Sequence, residues 1–498
     1  MISRKRSMAI IGGGTAGIAT LIIAVQRQVV NIIYIFDPSP IGPSTVFANI
    51  DPDVLCNTSV DTMSIMVDNP LDFYDYLKAN GLDVTSESFV PRRWVGKYLA
   101  ERFREYCVIA HNKGIVIIHM PFLFLSLRIT PPRYYTVIFG DELKPQSLTI
   151  TDIVFCTGYG SSIIPGIFKP YIYHPTFISS PYPENNMLER IPPQSQVLIL
   201  GSKLSAIDAA ILLCREGHHI TMISPSGYIP AVRARCMRSK DVTLDQDNLE
   251  SVMMLWGQKR TMPHTFLLRR EYLKYFSGLL NKYTNKSWRE QICFARNYRD
   301  RLDEEIIIAE KGDSQWQDIT VSFTIVMNEI YLKNTLYFVG SSHPDFMTVI
   351  HRYLLSISLP NARKLLRYMD NGSLAVQKGV VHSITPPDIS SDSWLIDWGC
   401  GHKKFNAVVS ATGYHSPYYF FSNKGQIVID ANGEHAKDAI AISSSLGFSH
   451  SYFKEIESIW FVGMPAHARL WAANTFFVTL NLASQVVDNI INLPSHIN

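Results

Sequence analysis

The chain has 498 residues, which is too long for one simple domain and predicts two or three. Apolar residues make up 47% and charged residues 18%, as is typical of a globular protein with large cores, and a net charge of +3 is too small to indicate a nucleic-acid or membrane partner. The seven cysteines are scattered without a CxxC pair, which favours a reducing compartment, the cytoplasm, and argues against a structural zinc site or a dithiol redox centre.

The first predicted element is the strand MAII at residues 8–11, followed by a glycine turn and a helix that opens at Thr15. A basic start before an apolar run is also typical of a signal peptide. Glycines and Arg27 interrupt that apolar run, so a membrane span is disfavoured and a strand, a turn and a helix are the preferred interpretation.

The glycine turn fits the GxGxxG pattern, and the next predicted strand, VVNIIYIFD, ends in an acid. In that pattern the first glycine permits the turn, the second lets the backbone approach a pyrophosphate, and the third allows close packing of helix and strand. The helix N-terminus faces the phosphates with its positive end, and the acid accepts hydrogen bonds from ribose hydroxyls. The predicted cofactor contacts are Gly12, Gly14, Thr15, Ala16, Gly17 and Asp37.

The next elements complete the first part of the chain. FVPRRWVGKYLAERF, residues 89–103, predicts a helix that starts near Pro91. GIVIIHM and YYTVIFG predict antiparallel strands, and TDIVFCTGYGSS, residues 151–162, predicts a strand that ends in Thr-Gly-Tyr. A proline-rich connector then runs to about residue 190.

A second unit of strand, turn, helix and strand is predicted at residues 195–224. Lys203 stands where the pattern has its second glycine, so its Cβ would crowd a pyrophosphate, although its ammonium would suit a phosphate. The last strand ends at Ser224 without an acid, and two arginines follow, Arg233 and Arg235. A missing acid with nearby arginines suits the 2′-phosphate of NADP better than NAD.

The predicted contacts of this second unit are Gly201, Ser202, Lys203, Ser205 and Arg233. A unit of the same fold that has lost its nucleotide remains an alternative. The following segment, rich in helix formers, aromatic residues and arginines, predicts a helical insertion over the active site.

Strands return with GVVHSITPP, SWLIDWG and FNAVVSATGYHSP; the last, residues 405–417, ends in a second Thr-Gly-Tyr and is expected to close the first domain. Near the C-terminus, residues 460–462 predict a strand, Gly463 a close approach of backbones, and the segment from about Ala472 a helix. We therefore predict an α/β fold with two Rossmann-like dinucleotide-binding domains. The first is discontinuous, at residues 1–190 and 371–498, and the second occupies residues 191–370 with its helical insertion.

Together these motifs resemble the two-dinucleotide flavoproteins, which include flavin-dependent monooxygenases of the N-hydroxylating and Baeyer–Villiger kinds. The chain more closely resembles a bacterial group of FAD/NAD(P)-binding proteins. The motifs that carry this resemblance are IIGGGTAGIAT, LCNTSVDTMSI, FVPRRWVGKYL, GSKLSAIDAA and ISPSGYIPAVR. It covers most of the chain and is thin between about residues 240 and 370.

The resemblance implies that FAD binds at the first turn and NADPH at the second. It also implies that the Thr-Gly strands lie at the seam between the two nucleotide domains, and that the N-terminus of the last helix points toward the flavin. Further cofactor contacts are then expected at Arg92, or its neighbour Arg93, at Gly463 and at Asn474. The candidate catalytic groups are Asn57, His415 and the turn at residues 466–469, although His415 is equally compatible with a structural role at a strand end.

No nucleophile elbow and no HExxH motif is present, which suits an enzyme whose cofactor carries the chemistry. The resemblance favours an NADPH-using flavin monooxygenase that oxygenates, for example N-hydroxylates, a small amine, amino acid or peptide-type metabolite in a biosynthetic pathway. Two alternatives stay open. One is a flavin oxidase or dehydrogenase with a degenerate second unit, which Lys203 favours, and the other is a flavin-carrying binding protein without turnover.

Overall fold

The computed structural model describes residues 6–48, 51–130, 134–233, 242–251, 265–293, 295, 297–312, 314–333, 352–387, 392–399, 401–450, 457–470 and 472–493. The strands of this part of the chain are β1 (Ser7–Ile11), β2 (Ile32–Phe36), β3 (Val116–Met120), β4 (Phe124–Thr130), β5 (Tyr134–Asp141), β6 (Lys144–Ile150), β7 (Asp152–Phe155), β8 (Phe177–Ile178), β9 (Gln196–Leu200), β10 (His219–Ser224), β11 (Leu374–Lys378), β12 (Ser383–Thr385), β13 (Trp394–Asp397), β14 (His402–Phe405), β15 (Ala407–Ser410), β16 (Tyr418–Phe421), β17 (Ile427–Asp430), β18 (Ala441–Ile442), β19 (Phe448–Ser449) and β20 (Ile459–Phe461).

The α-helices are α1 (Thr15–Gln26), α2 (Asp72–Ala79), α3 (Arg92–Asn112), α4 (Glu184–Arg190), α5 (Leu204–Arg215), α6 (Thr265–Tyr283), α7 (Trp288–Gln291), α8 (Tyr298–Lys311), α9 (Gln315–Lys333), α10 (Leu359–Asp370) and α11 (Phe476–Asn492). Short 3₁₀ turns occur at Val60–Thr62, Gly166–Tyr171 and Met464–Ala466. Among the described residues, no helix combines the length and the apolar character needed to cross a bilayer.

The first sheet is parallel and has the order β20-β7-β1-β2-β3. Its central strands are apolar on both faces. Helix α1 packs on β1 and is almost entirely buried between the sheet, α3 and α11, while β5 and β6 contact β7 and β1. GIVIIHM, which contains β3, was expected to be antiparallel, and this prediction is wrong, since β3 pairs in parallel with β2. The long helix α3 leads into β3, and such a crossover joins parallel strands.

The second sheet is also parallel, with the order β11-β10-β9-β15-β8. The prediction that FNAVVSATGY closes the first domain is wrong, because β15 pairs with β9 and β8 of this second sheet. The apolar run AVVS suits a strand buried on both faces in either sheet, so its composition did not select the partner. Since β11 and β15 belong to it, the second sheet extends past the limit at residue 370 that the sequence suggested.

Two antiparallel sheets accompany the parallel ones. One has the order β16-β17-β4-β5-β6 and contains YYTVIFG in β5, as predicted. The other, β12-β13-β14, contains the predicted strands of GVVHSITPP and SWLIDWG and lies beside the second parallel sheet.

The predicted helical insertion corresponds to helices α6 to α9, which follow β10. Buried side chains such as Phe276, Trp316 and Phe323 form a core of their own there. Helices α6 and α9 therefore share a separate apolar centre, whereas α8 packs on α10 and contributes Leu302, Ile306 and Ala309 to the core around the second sheet.

Candidate active site

The first glycine turn lies where the strand order of the first sheet reverses, between β1 and β7. Gly12 adopts φ +110°, and a Cβ there would lie 2.3 Å from the carbonyl oxygen of Cys156. A Cβ on Gly17 would lie 1.9 Å from the carbonyl oxygen of Gly12. At Gly14, by contrast, a Cβ would meet only the Ser44 side chain at 3.9 Å. Two glycines are thus required for packing, and the third leaves a cradle that a pyrophosphate fits at the start of α1.

Asp37 follows β2 and is tied to this turn. Its Oδ2 accepts the Gly13 backbone N–H at 2.8 Å, and its Oδ1 accepts the Ser39 N–H at 2.8 Å. The carboxylate is therefore held at the carboxyl end of β2, where ribose hydroxyls lie in dinucleotide-binding folds.

The C-terminal segment packs on the same turn. Gly463 follows β20 at φ +74°, and a Cβ there would approach the Cβ of Ala16 to 3.2 Å. The last helix begins at Phe476 rather than near Ala472, and Asn474 just before it donates through Nδ2 to the Tyr159 hydroxyl at 2.6 Å. The segment thus closes over the N-terminus of α1.

The second glycine turn reproduces the geometry of the first. Gly201 adopts φ +118°, and its Cβ would lie 2.4 Å from the carbonyl oxygen of Ala411, the residue after β15. The Gly201 N–H donates to the Ile223 carbonyl at 2.7 Å, just as the Gly12 N–H donates to the Phe36 carbonyl at 2.9 Å. This turn, too, lies where the strand order reverses, which is where such sheets bind ligands.

The remaining residues of the second turn differ in exposure. Ser202 is buried, and its hydroxyl bonds with the Ser224 hydroxyl at 2.8 Å and with the Tyr228 carbonyl. Lys203 is the exposed N-cap residue of α5, and Ser205 is half-buried in the first turn of that helix. The turn therefore presents an ammonium where the first turn presents a bare backbone.

The two Thr-Gly-Tyr segments meet at the seam between the two sheets. Gly160 donates to the His415 carbonyl at 2.8 Å, and His415 donates to the Ser161 carbonyl at 2.8 Å. The Tyr159 and Tyr414 rings lie 5.8 Å apart. The chain thus crosses between the two halves on a short antiparallel pair of segments.

A cavity of about 200 Å³ contains predicted site residues from both halves of the molecule. Asn57, Arg92 and Asn474 line it, together with Leu204 at the N-terminus of α5. Apolar side chains form most of the remaining wall, among them Val46, Phe47, Met63, Leu354, Leu355, Phe476 and Phe477. The buried side-chain oxygen of Asn57 has no hydrogen-bond partner among the described residues, so the wall of the cavity contains an unused acceptor.

His415 is not among the residues that line this cavity. Its ring packs against the loop at Gly433, where Nδ1 lies 3.2 Å from the position of a Cβ. The structure therefore separates the two side chains that the sequence suggested for catalysis, because the second Thr-Gly-Tyr segment belongs to the seam.

Arg92 lines the cavity, but its described hydrogen bonds go to protein. It donates to Asp208 Oδ2 at 2.7 Å, to the Tyr182 hydroxyl at 3.2 Å and to the Leu55 carbonyl at 3.2 Å. Burial acts to lower the pKa of Arg92, but Asp208, Tyr182 and Cys56 together outweigh it and raise that pKa. Contact with a cofactor phosphate stays a prediction for this arginine.

Arg233 is enclosed by protein rather than presented to a nucleotide. Only 2% of it is exposed, and it donates through Nη2 to the Leu354 carbonyl at 2.8 Å. Burial lowers the pKa of Arg233 to about 10 against the opposing charges of Asp318 and Asp61. Its predicted contact with a 2′-phosphate is therefore not supported, and Arg235 lies outside the described residues.

Sequence reasoning missed several cavity residues that carry no motif. Phe47, Leu354 and Ser356 come from segments far apart in the chain. Phe47 and Leu354 are apolar, but so are core residues, and Ser356 carries no signal at all. His467 lay within the predicted 466–469 turn; its Nδ1 bonds with the Met464 carbonyl at 3.0 Å, and burial lowers its pKa.

Two glycine turns at two sheet reversals, with a seam between their sheets and a cavity lined by both halves, define the fold class of the two-dinucleotide flavoproteins. Residues 9–160 match the family model described as FAD-NAD(P)-binding. This match agrees with the cradle at Gly14, which fits FAD, and covers the first unit. No curated protein matches the sequence.

Solved structures of this fold extend over nearly the whole chain. An ornithine hydroxylase from Pseudomonas aeruginosa has a TM-score of 0.55 at 12% identity, covering 98% of both chains. The Kutzneria sp. 744 ornithine N-hydroxylase, with reduced FAD, NADP⁺ and L-ornithine, has a TM-score of 0.55 at 13% identity, covering 98% of this chain and 99% of that one. A cyclohexanone monooxygenase has a TM-score of 0.52 at 11% identity, covering 98% and 88%. These likenesses confirm the predicted fold class.

Proposed function

We propose that the protein is an FAD-dependent monooxygenase that takes electrons from NADPH and oxygenates a small substrate with a nucleophilic nitrogen. The observation that carries this proposal is the cavity that both halves line, with the unused acceptor of Asn57 in its wall. Bound FAD would supply the two-electron and dioxygen chemistry that no side chain provides.

The residues proposed to hold FAD are those of the first turn and the segment that covers it. The backbone at Gly14 and Thr15 would receive the pyrophosphate, and Asp37 the ribose hydroxyls. Gly463 allows the C-terminal segment to lie against Ala16, and Asn474 and Thr475 bring the start of α11 to the cavity. A helix N-terminus there stabilises negative charge, which suits a reduced flavin.

The cavity wall would bind and orient the substrate. Phe47, Phe476 and Phe477 exclude water from the space, which strengthens each polar contact within it. The Asn57 oxygen accepts a hydrogen bond and cannot donate one, so it would accept an N–H from an amine or from the cofactor. The role of Asn57 is thus to orient the reacting partners, with no proton transferred to or from its amide.

The choice of an amine follows from the hydroxylases of the same fold. Their substrates, named above for two of them as ornithine, carry a primary amine. A wall with an acceptor and aromatic faces is compatible with a neutral amine, the form that is nucleophilic.

A flavin oxidase or dehydrogenase is the second candidate, and Lys203 is the feature that favours it. Among the described residues no carboxylate pairs with Lys203, so its exposed ammonium is also available to a nucleotide phosphate. We therefore prefer a functional second turn.

Rapid mixing of the purified protein with NADPH in the absence of oxygen tests the proposal. The flavin absorbance is expected to bleach without any substrate, and later admission of oxygen with candidate amines is expected to give hydroxylamines, detected by mass spectrometry. An oxidised flavin that stays oxidised with NADPH, and bleaches only with a substrate, would instead establish the oxidase or dehydrogenase.

A further inference from the structure

A second cavity, separate from the one shared by the two halves, lies at the carboxyl ends of β10 and β11. Its volume is about 300 Å³. The residues that line it are Ser226, Gly227, Tyr228, Ile229, Tyr298, Arg301, Val376 and Lys378. None of them lines the first cavity. Residues 226–229 lie in the motif ISPSGYIPAVR, but no residue of this cavity was predicted as a cofactor contact.

Two cations face this space, and no carboxylate in the described part of the chain pairs with either. Arg301 lies over the Tyr228 ring, 4.6 Å from its centre, and donates through Nε to the Ala295 carbonyl at 3.0 Å. Lys378 is exposed at the end of β11. Arg299 on the same helix differs, since it pairs with Asp300, Asp303 and Asp370.

Tyr228 and the Ala295 carbonyl hold the Arg301 guanidinium in one place before any ligand arrives. With Nε bonded to that carbonyl, the Nη groups of Arg301 have no described protein partner, and their planar fork suits a phosphate. The exposed Tyr228 and the neighbouring Tyr298 offer aromatic surface beside the charge. Cations next to aromatic rings match a ligand with both a base and a phosphate.

The location of the cavity indicates which phosphate of a nucleotide it would bind. In a βαβ nucleotide unit, the end of the second strand faces the ribose 2′ position, and an acid there favours NAD. Here β10 ends at Ser224, whose hydroxyl is occupied by Ser202, and the cations follow instead. We infer that this cavity binds the 2′-phosphoadenosine end of NADPH, with Arg301 and Lys378 as the residues that select a 2′-phosphate.

This inference rests on the proposed use of NADPH and adds the residues that select it. The sequence predicted Arg233 for the 2′-phosphate, but Arg233 is buried. The residue inferred from the structure is Arg301, from helix α8 of the insertion. The insertion would therefore supply a residue that selects NADPH over NADH at the βαβ unit.

Calorimetric titration of the purified full chain with 2′,5′-ADP, 5′-AMP and inorganic phosphate tests it without any turnover. We expect 2′,5′-ADP to bind about tenfold to a hundredfold more tightly than 5′-AMP or phosphate, as charge-assisted contacts to one phosphate predict. Arg301→Ala and Lys378→Ala should each weaken 2′,5′-ADP by about tenfold and leave 5′-AMP unchanged. Arg301→Lys should recover part of the loss, and Arg299→Ala should bind like the parent protein.

Equal affinities for 2′,5′-ADP and 5′-AMP would overturn the inference, and so would a phosphate ion that binds as tightly as 2′,5′-ADP. Full 2′,5′-ADP affinity in both alanine variants would also overturn it. Lys378 is exposed, so its variant tests the inference even if Arg301→Ala fails to fold. The titration needs neither flavin nor oxygen. If the protein prefers 2′,5′-ADP but NADPH does not reduce its flavin, the inference stands and only the proposed function is contradicted.

Discussion

Arg92, at the start of α3, forms a buried ion pair with Asp208 of α5, with Nη2 and Oδ2 2.7 Å apart. Tyr182 completes the cluster, since its hydroxyl donates to the same carboxylate oxygen at 2.5 Å. The helix of the second turn is thereby fixed to the segment that carries Asn57. Near the surface, Arg215 of α5 and Lys364 of α10 both pair with Asp53, four residues before Asn57.

Removing one partner of the buried pair should destabilise the protein strongly. We expect Asp208→Asn to lower the free energy of unfolding by about 3–5 kcal/mol, because Arg92 is left as an uncompensated buried charge. The double variant Arg92→Leu with Asp208→Leu should lose less than the sum of the single variants. Denaturant unfolding curves measure these differences.

The exposed pair of Arg363 and Glu310 provides a matched control. Its N–O distance is 2.8 Å, but both side chains are largely exposed. Glu310→Gln should cost at most about 1 kcal/mol. A loss at Asp208 no larger than this would show that the buried pair does not hold the two halves together.

The two kinds of glycine in the first turn should respond differently to alanine. Gly12→Ala forces a Cβ to within 2.3 Å of the Cys156 carbonyl oxygen at positive φ, so we expect loss of the folded state. Gly14→Ala has space in the protein and ordinary backbone angles, so its thermal unfolding should be unchanged. Its FAD affinity should fall by about tenfold or more, because the methyl group fills the phosphate cradle.

Thermal unfolding and FAD titration of both variants separate packing from binding. A Gly14→Ala protein that binds FAD as tightly as the parent would place the pyrophosphate elsewhere. The sequence alone could predict these glycines, because the spacing GxGxxG within one short turn specifies where backbones approach closely.

The cavity predicts unequal effects for the two side chains suggested for catalysis. Asn57→Leu keeps the size of the side chain and removes the unused acceptor, so we expect kcat/KM to fall by about tenfold. His415→Leu alters the seam, away from the cavity, and should leave kcat/KM close to that of the parent. Steady-state NADPH oxidation with quantified hydroxylated product provides the measurement, and an inactive His415→Leu beside an active Asn57→Leu would contradict the assignment.

Acid should destabilise the protein through His218. The Ser195 N–H donates to Nδ1 of this buried histidine at 3.1 Å, which requires the neutral ring, and burial lowers the pKa of His218. The unfolded chain therefore binds more protons than the folded one, and stability is lost as pH falls through the ordinary value of about 6.5 toward the lower folded value.

His218→Asn keeps an acceptor and removes the titration, so the free energy of unfolding should vary less between pH 7 and 5 than in the parent. His219→Asn, at the exposed neighbouring position, serves as the control and should retain the parent slope. Identical slopes for the His218 variant and the parent would contradict this explanation.

The sequence predicted what local spacing encodes and failed where distant segments meet. Both glycine turns, their helices and the strand before each Thr-Gly-Tyr follow from short patterns, as the close approaches at Gly12 and Gly201 confirm. The sheet that receives β15 did not follow, because an apolar run suits either sheet. Arg301 and Lys378 lie on separate elements of the fold, and no local spacing signals that they share one cavity.

The central claim is that the first glycine turn binds FAD, so that a flavin carries the electrons. Titration of the folded apoprotein with FAD, followed by flavin absorbance and by quenching of flavin fluorescence, measures this directly. We predict saturable binding of one FAD per chain that Gly14→Ala weakens and that Gly278→Ala, in helix α6 with open space for a Cβ, does not. A folded protein that leaves the spectrum of added FAD unchanged would contradict the account.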